Sequence, residues 1–334
     1  MFYFILALII SIVVSKLIIH YSHKHNIFID CSQSDKPQKF HQDSTPRSGG
    51  LGIVAGFLLF FLSIFGIKLL IPTILALLSG IFEDFKNSLS ASTRLILQTF
   101  AAIIAMWLLN AVITYIGLGI YLPIWVGYIF TAFVIVGMMN AVNIIDGFNG
   151  LASGVVIVMM LSFGYIAYTQ HNQDLLNIVL ITLGATLGFF LLNFPKGKIF
   201  LGDGGAYLLG FIVAIVGIFL ASKYESVSPW YVLSILIYPA WEVAFSIIRK
   251  LSIGLSPFKP DRYHFHMLVY RQLAKSNPLT SILIILFTLP FTIVATINAH
   301  NSKFNILVSI VFIISYVLIY LYLLRKDKKG SLSS

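Results

Sequence analysis

Residues 121–169, YLPIWVGYIFTAFVIVGMMNAVNIIDGFNGLASGVVIVMMLSFGYIAYT, decide the fold class. Two apolar runs, Tyr121 to Met139 and Leu151 to Thr169, flank a short polar segment. Each run has the length a helix rising about 1.5 Å per residue needs to cross roughly 30 Å of hydrocarbon. Asn140, Asn143 and Asp146 recur at every third residue, so they share a face if the first helix continues through them. Gly147-Phe148-Asn149-Gly150 then reads as the break between two spans. The end of such a hairpin is where a membrane protein can hold polar groups outside lipid.

The same pattern extends in both directions. Apolar stretches run from about Phe2 to His20, Gly49 to Phe65, Leu69 to Phe82 and Leu95 to Val112 before the quoted segment. After it they run from about Leu175 to Asn193, Ala206 to Ser222, Trp230 to Ile248, Ser281 to Ala299 and Phe304 to Leu324. The expectation is an all-α polytopic membrane protein of about 11 transmembrane helices, forming one integral membrane domain over residues 1–334 with a basic tail at 325–334. A hydrophobic content of 58% with 10% charged residues excludes a soluble enzyme. The single cysteine, Cys31, excludes an internal disulfide framework and a cysteine metal cluster. The first run has no basic residue before it and no small-residue cleavage pattern, so it reads as a retained anchor.

Eleven spans divide the loops into two sets. One collects Lys24, Lys36, Lys39, Arg47, Lys86, Arg94, Lys196, Lys198 and the basic residues from Arg249 to Lys275 and from Arg325 to Lys329. The other holds Lys68, Lys223 and Lys303, with Lys16 inside the first run. By the positive-inside asymmetry the first set is cytoplasmic and the amino terminus faces outward. The net charge of +10 is therefore a topology signal and a lipid-headgroup contact, with no nucleic acid implied. Most acidic residues fall on the same side, which orientation does not require. A reaction site at the cytoplasmic face accounts for them.

The polar clusters on that side carry the chemistry. SDKPQKFHQDSTPRSGGLG, residues 34–52, supplies Lys39, His41 and Arg47 as cationic donors ahead of Gly49-Gly50. Its plainer reading is a basic topology loop. Glu83 and Asp84 end one span and Arg94 opens the next; adjacent anions at a membrane boundary are costly unless a cation or proton is shared. Asn140, Asn143 and Asp146 read either as caps of the following helix or as oxygen ligands of a hard cation, with the glycine turn meeting a flat ring. Asp203, among Gly202, Gly204 and Gly205, reads as an N-cap or as a carboxylate open to a bulky ligand. In RKLSIGLSPFKPDRYHFHMLVYRQ, residues 249–272, His264 and His266 alternate with Lys259 and Arg262 nearby, which suits an anion rather than a helical zinc pair. Glu242, inside the ninth apolar run, is expected to pair with another helix. Trp230 and Tyr231 read as interface aromatics.

In one order and on one face, H-x-x-x-TPR-x-GG, an acidic pair, NxxNxxDGxxGL, GDxG and PDRxHxH resemble the polyprenyl-phosphate N-acetylhexosamine-1-phosphate transferases, glycosyltransferase family 4. The resemblance spans about Asp35 to His266, and SPFKPDRYHFH is most similar to the GlcNAc-1-phosphate branch. It implies transfer of a sugar 1-phosphate from a UDP-N-acetylhexosamine to undecaprenyl phosphate with release of UMP, in the bacterial inner membrane, as the first lipid-linked step of an envelope glycan such as O-antigen. It implies Mg²⁺, with Mn²⁺ as the alternative, and is compatible with a homodimer in the bilayer. Carried over by motif, Asp203 and Asn143 would hold the metal and Asp84 would sit at the lipid phosphate. Asp146 would orient substrate groups, Gly147, Phe148 and Asn149 would lie near the uracil, and His264 and His266 would meet the diphosphate, supported by Lys39 and Arg47. Glu83, Asn149 and Met267 depart from the commoner Asp, Asp and His of those motifs. A transporter or lipid flippase is the rival reading. Against it, the polar groups gather at one face rather than at the midplane.

Overall fold

A computed structural model describes residues 1–25, 27, 29–30, 45–86, 89–256 and 262–332. Lys39 and His41 lie outside them. The chain forms α1 (Phe2–His25), a two-residue ribbon of β1 (Ile29–Asp30) and β2 (Thr45–Pro46), α2 (Gly49–Phe57) with a 3₁₀ continuation Leu58–Leu62, and α3 (Ile64–Lys86). There follow α4 (Ala91–Leu109), α5 (Ile124–Ile145), α6 (Leu151–Thr169), α7 (Gln173–Asn193), α8 (Gly202–Lys223) and α9 (Pro229–Ser252). A short α10 (Phe265–Val269) with a π-helical turn Tyr270–Ala274 leads to α11 (Asn277–Ile297) and α12 (Ser302–Leu332). β1 pairs antiparallel with β2, Ile29 opposite Pro46 and Asp30 opposite Thr45.

Among the described residues, ten helices are long and apolar enough to cross a membrane. This confirms the all-α polytopic class and corrects the span expected from Gly49 to Phe65, which is a short helix over Gly49–Leu62. The apolar run was long enough on paper, but the backbone tightens into a 3₁₀ turn and then extends at Ser63 (φ −142°, ψ 150°), which ends it. The basic tail expected at 325–334 is in its first part a continuation of α12, helical through Leu332.

α8 is the axis of the bundle, with nearly every side chain enclosed, and α2, α3, α5, α6 and α9 pack around it. A helix apolar all round belongs in such a position. α1 lies outermost against α7 and α2, with Ile5, Ile9, Val13 and Leu17 exposed along its outer face. Inside hydrocarbon the hydrophobic effect does not drive helix association, so close approach and hydrogen bonds do. Ser11 Oγ donates to the Ala185 carbonyl at 2.7 Å, and Ser162 Oγ meets the Tyr231 hydroxyl at 2.7 Å and Thr296 Oγ1 at 2.6 Å. Tyr231 is thus a fully buried link between helices, and not the interface aromatic its neighbour Trp230 suggested. Hydroxyl pairing, invisible in composition, outweighed the general preference of tyrosine for the interface.

Direction alternates along the chain, and one end of the bundle gathers the polar loops. Gly188 of α7 lies beside Leu8 and Ser11 of α1, and Gly52 of α2 beside Ser15, so α1 runs toward that polar end. α12 returns to it, where Asp327 meets Arg271 with two hydrogen bonds of 3.0 Å. At the polar end Asn193 ties two loops: its Oδ1 accepts from Gly150 N at 2.5 Å and its Nδ2 donates to the Ile199 carbonyl at 2.7 Å. Asn193→Ala leaves both backbone groups unpaired in a buried place and is expected to cost about 1–3 kcal/mol, read as a lowered thermal midpoint in detergent. An unchanged midpoint would show that these loops do not depend on the tie.

Candidate active site

The site begins with the approach of three helix ends. The backbone of residues 46–50 runs beside that of 200–201: Phe200 N donates to the Pro46 carbonyl at 2.8 Å, Gly49 N to the Phe200 carbonyl at 2.9 Å and Gly50 N to the Leu201 carbonyl at 3.1 Å. A Cβ on Gly80 of α3 would stand 2.5 Å from the Asp203 carbonyl carbon and from Gly204 N, and one on Gly50 would stand 2.6 Å from Gly205 Cα. Only glycine lets α2 and α3 close on the first turn of α8 at these points. That turn also starts from a left-handed residue, Gly202 at φ +76°.

Asp84 ends up at that turn. Its Oδ1 accepts from Asp203 N at 2.9 Å and its Oδ2 from Gly204 N at 3.0 Å, satisfying two of the unpaired donors of α8 and placing negative charge at the positive end of its dipole. The capping role read as one option for Asp203 therefore belongs to Asp84, across 119 residues. Freed from that role, Asp203 sits between two guanidiniums: Arg47 Nη2 at 3.4 Å from Oδ1 and Arg94 Nη1 at 3.3 Å from Oδ2. Both contacts are long for charge-assisted hydrogen bonds, and all three side chains are partly open, so the carboxylate is not locked in a tight pair. Glu83, one residue before Asp84 and so about 100° round the helix, lies close enough to α8 for its charge to reach Tyr207.

α5 continues through Asn140 and Asn143, as the spacing requires, and Asp146 is its C-terminal cap residue. The alternative that these residues cap α6 is corrected: α6 begins at Gly150 in the left-handed region without a side-chain cap. Asp146 is close enough to Asp84 and Asp203 to feel their charge. Burial raises its carboxyl to about 7, the Arg47 guanidinium opposes that rise, and the two neighbouring carboxylates add to it. Asn140 Nδ2 donates to Gln98 Oε1 at 2.8 Å, leaving Gln98 Nε2 buried without a partner.

Asn149 is built into the loop framework. Its backbone N donates to Asn277 Oδ1 at 2.7 Å, its Nδ2 to the Pro195 carbonyl at 3.0 Å, and its carbonyl accepts from Ser281 Oγ at 2.7 Å. Gly147 remains partly open, and a Cβ there would lie 3.4 Å from His266 Nε2. Phe148 packs edge-on to His266, ring centres 5.8 Å apart, and against Tyr270 at 5.2 Å. His264 and His266 lie with rings nearly parallel, 7° and 5.4 Å between centres. The histidine loop and the glycine turn after α5 are thus one wall. Burial pulls His266 down to about 4, opposed by the Glu242 charge, so its ring is neutral near pH 7. Arg262 is exposed at the edge of the described loop, its carbonyl accepting from Arg271 Nη1 at 2.8 Å.

Arg94, Gln98 and Glu242 enter this arrangement without having been singled out as site residues. Arg94 and Gln98 lie four residues apart on the first turns of α4, which a helical reading of the segment after Glu83-Asp84 could have placed together. Glu242 carried only the signal of a charge within an apolar run.

The family model of Glycosyl transferase family 4 matches residues 66–221. A phospho-N-acetylmuramoyl-pentapeptide-transferase of Streptococcus pyogenes serotype M12 is 30% identical over 311 residues, 80% of this chain and 88% of that protein. The chain belongs to glycosyl transferase family 4. Another relative, a probable undecaprenyl-phosphate N-acetylglucosaminyl 1-phosphate transferase of Bacillus subtilis, is 28% identical over 282 residues, 79% of this chain and 75% of the relative. A phospho-N-acetylmuramoyl-pentapeptide-transferase of Streptococcus agalactiae serotype Ia is 31% identical over 236 residues, 67% of each chain. The family 4 match takes in Asp84, Asn143, Asp146 and Asp203 but stops before the histidine loop.

The donor chemistry of this family 4 site suits a hard cation. Among the described residues no three His, Cys, Asp or Glu side chains enclose a metal by themselves. Asp203 and Asn143 would supply a carboxylate and an amide oxygen and leave the remaining positions to phosphate oxygens and water, the division Mg²⁺ favours. Asp146, half-buried beside two other carboxylates, supports the same fit, since positive charge nearby relieves the repulsion.

Proposed function

We infer that this protein transfers an N-acetylhexosamine 1-phosphate, GlcNAc-1-phosphate first among candidates, from a UDP-sugar to undecaprenyl phosphate. UMP leaves, and an undecaprenyl-diphospho-sugar remains as the first lipid-linked step of an envelope glycan such as O-antigen. The observation that carries this is Asp203, held loosely between Arg47 and Arg94 at the glycine-lined start of α8, with Asp84 and Asp146 beside it. The relatives named for undecaprenyl-phosphate and pentapeptide transfer support it. The polar end is the cytoplasmic face of the bacterial inner membrane, where UDP-sugars are made, and the lysine and arginine asymmetry agrees.

In a single displacement, an oxygen of the lipid phosphate attacks the sugar-bearing phosphorus of the donor. The phosphoanhydride bond breaks, and its electron pair leaves with UMP. A phosphate monoester has its second pKa near 6, so the attacking group is largely dianionic and needs no strong base. The protein's task is to bring anions together. Arg47 and Arg94 draw phosphate oxygens toward Asp203, His264 and His266 hold the diphosphate, and the turn at Gly147 and Phe148 gives a flat surface for the uracil. Asn149 acts beneath that turn by fixing its backbone. A divalent cation bound by Asp203 and Asn143 would neutralise the diphosphate and stabilise the leaving UMP.

The test incubates the purified full chain with undecaprenyl phosphate, Mg²⁺ and one donor at a time: UDP-GlcNAc, UDP-GalNAc or UDP-MurNAc-pentapeptide. UMP and lipid product are followed by mass. Release of UMP that needs both lipid and metal, highest with UDP-GlcNAc, is the expected result. Preference for the pentapeptide donor would replace the sugar assignment, and no turnover by folded protein with any donor would overturn the reading.

A further inference from the structure

Glu242 lies at the polar half of α9, 1% exposed, and its carboxylate is fully engaged. His264 Nδ1 lies 3.0 Å from Oε1, Phe265 N donates to the same oxygen at 3.0 Å, and the Tyr316 hydroxyl donates to Oε2 at 2.8 Å. These partners come from the start of α10, where His264 is the N-cap and Phe265 the first residue, and from α12, so one side chain of α9 ties together two distant parts of the chain. Tyr316 is held in turn by the rings of Phe245, 5.4 Å away, and Phe265, 4.6 Å away. A buried carboxylate this well supplied with donors is a fixed anion, and a fixed anion on one imidazole nitrogen sets what the other can do.

We propose that Glu242, anchored by Tyr316, is a positioning residue for His264. It binds the Nδ1–H and so keeps Nε2 directed at the phosphates. The same carboxylate caps Phe265 N, which fixes the backbone of α10 and with it the parallel partner ring, His266. Both effects pass through His264 and the α10 turn, since Glu242 itself is sealed from the site. This rests on the transferase reading above.

The experiment uses the full chain in lipid nanodiscs with whichever donor the wild type turns over. Glu242→Gln preserves shape and removes the charge. Loss of a residue that orients a histidine commonly costs about 10- to 100-fold in activity, so kcat should fall by that factor while KM for both substrates moves less than about threefold, the pattern of a contact felt mainly in the transition state. Combined with His264→Ala, it should add less than about a twofold further loss, because the two act as a unit. Multiplying losses, or an unchanged kcat in Glu242→Gln, would overturn the proposal. If Glu242→Gln does not fold, Tyr316→Phe keeps the ring and removes the anchor, and the same non-additivity with His264→Ala decides. If the wild type turns over no donor, the transferase reading fails separately. Histidine ¹⁵N spectra then decide the positioning: a far-downfield Nδ1–H at His264 that vanishes in Glu242→Gln supports it, and identical spectra refute it.

Discussion

Asp203→Ala is expected to lower UMP release by about 100- to 1,000-fold, the scale seen when a group that manages transition-state charge is removed, while the protein still inserts and folds. The substitution takes away the carboxylate that Arg47 and Arg94 face, at 3.4 and 3.3 Å. Folding should hardly notice. Those arginines are partly open to solvent, so the loss of partly exposed ion pairs costs roughly 1 kcal/mol or less. The backbone of the α8 turn is held by Asp84, which stays. Turnover within tenfold of wild type at saturating Mg²⁺ would remove Asp203 from the proposed metal site. A large drop in thermal midpoint would instead mark it as structural.

Gly80→Ala is expected to damage stability and activity together. The added carbon would meet backbone atoms of Asp203 and Gly204 at 2.5 Å, and backbone cannot swing aside as a side chain tip can. α3 and α8 must separate, at a cost of about 1–3 kcal/mol for overpacking. Asp84 rides on α3 and its hydrogen-bond partners on α8, so separation also pulls the carboxylates out of register, and a displacement near 1 Å can cost about 100-fold in rate. Gly137→Ala in α5 is the control: no atom lies within 4 Å of its added carbon, and it should behave as wild type. Equal thermal midpoints and rates for the two variants would show that the approach of α3 to α8 can relax without loss.

What could be read from sequence was whatever a short stretch states by itself. Apolar length marked the spans, and the three-residue spacing of Asn140, Asn143 and Asp146 pointed to one helix, which carries the first two and ends at Asp146 as its cap residue. The stretch from Gly49 misled because hydropathy counts residues and does not see the backbone tighten after Phe57. Roles set by distant partners were out of reach. Nothing near Asp84 says that it caps a helix 119 residues later, and nothing near Glu242 names Tyr316, 74 residues on. Asn149 sits in a motif that suggests ligand contact, and its Nδ2 also bonds the Pro195 carbonyl, a partner that only the folded loop brings near.

The short helix over Gly49–Leu62 makes one corner of the bundle unlike the rest. Nine α-helical and five 3₁₀ residues reach only about 23 Å, several ångströms less than the hydrocarbon depth that the longer helices match. At its far end Phe61, Leu62 and Ile64 are exposed and apolar, a surface that acyl chains rather than water must cover. A hydrophobic stretch shorter than the hydrocarbon is matched by local thinning of the bilayer, at a cost of fractions of a kcal/mol per ångström. α2 starts at Gly49-Gly50, against the first turn of α8, so a shift of this short helix would be felt where Asp84 and Asp203 meet.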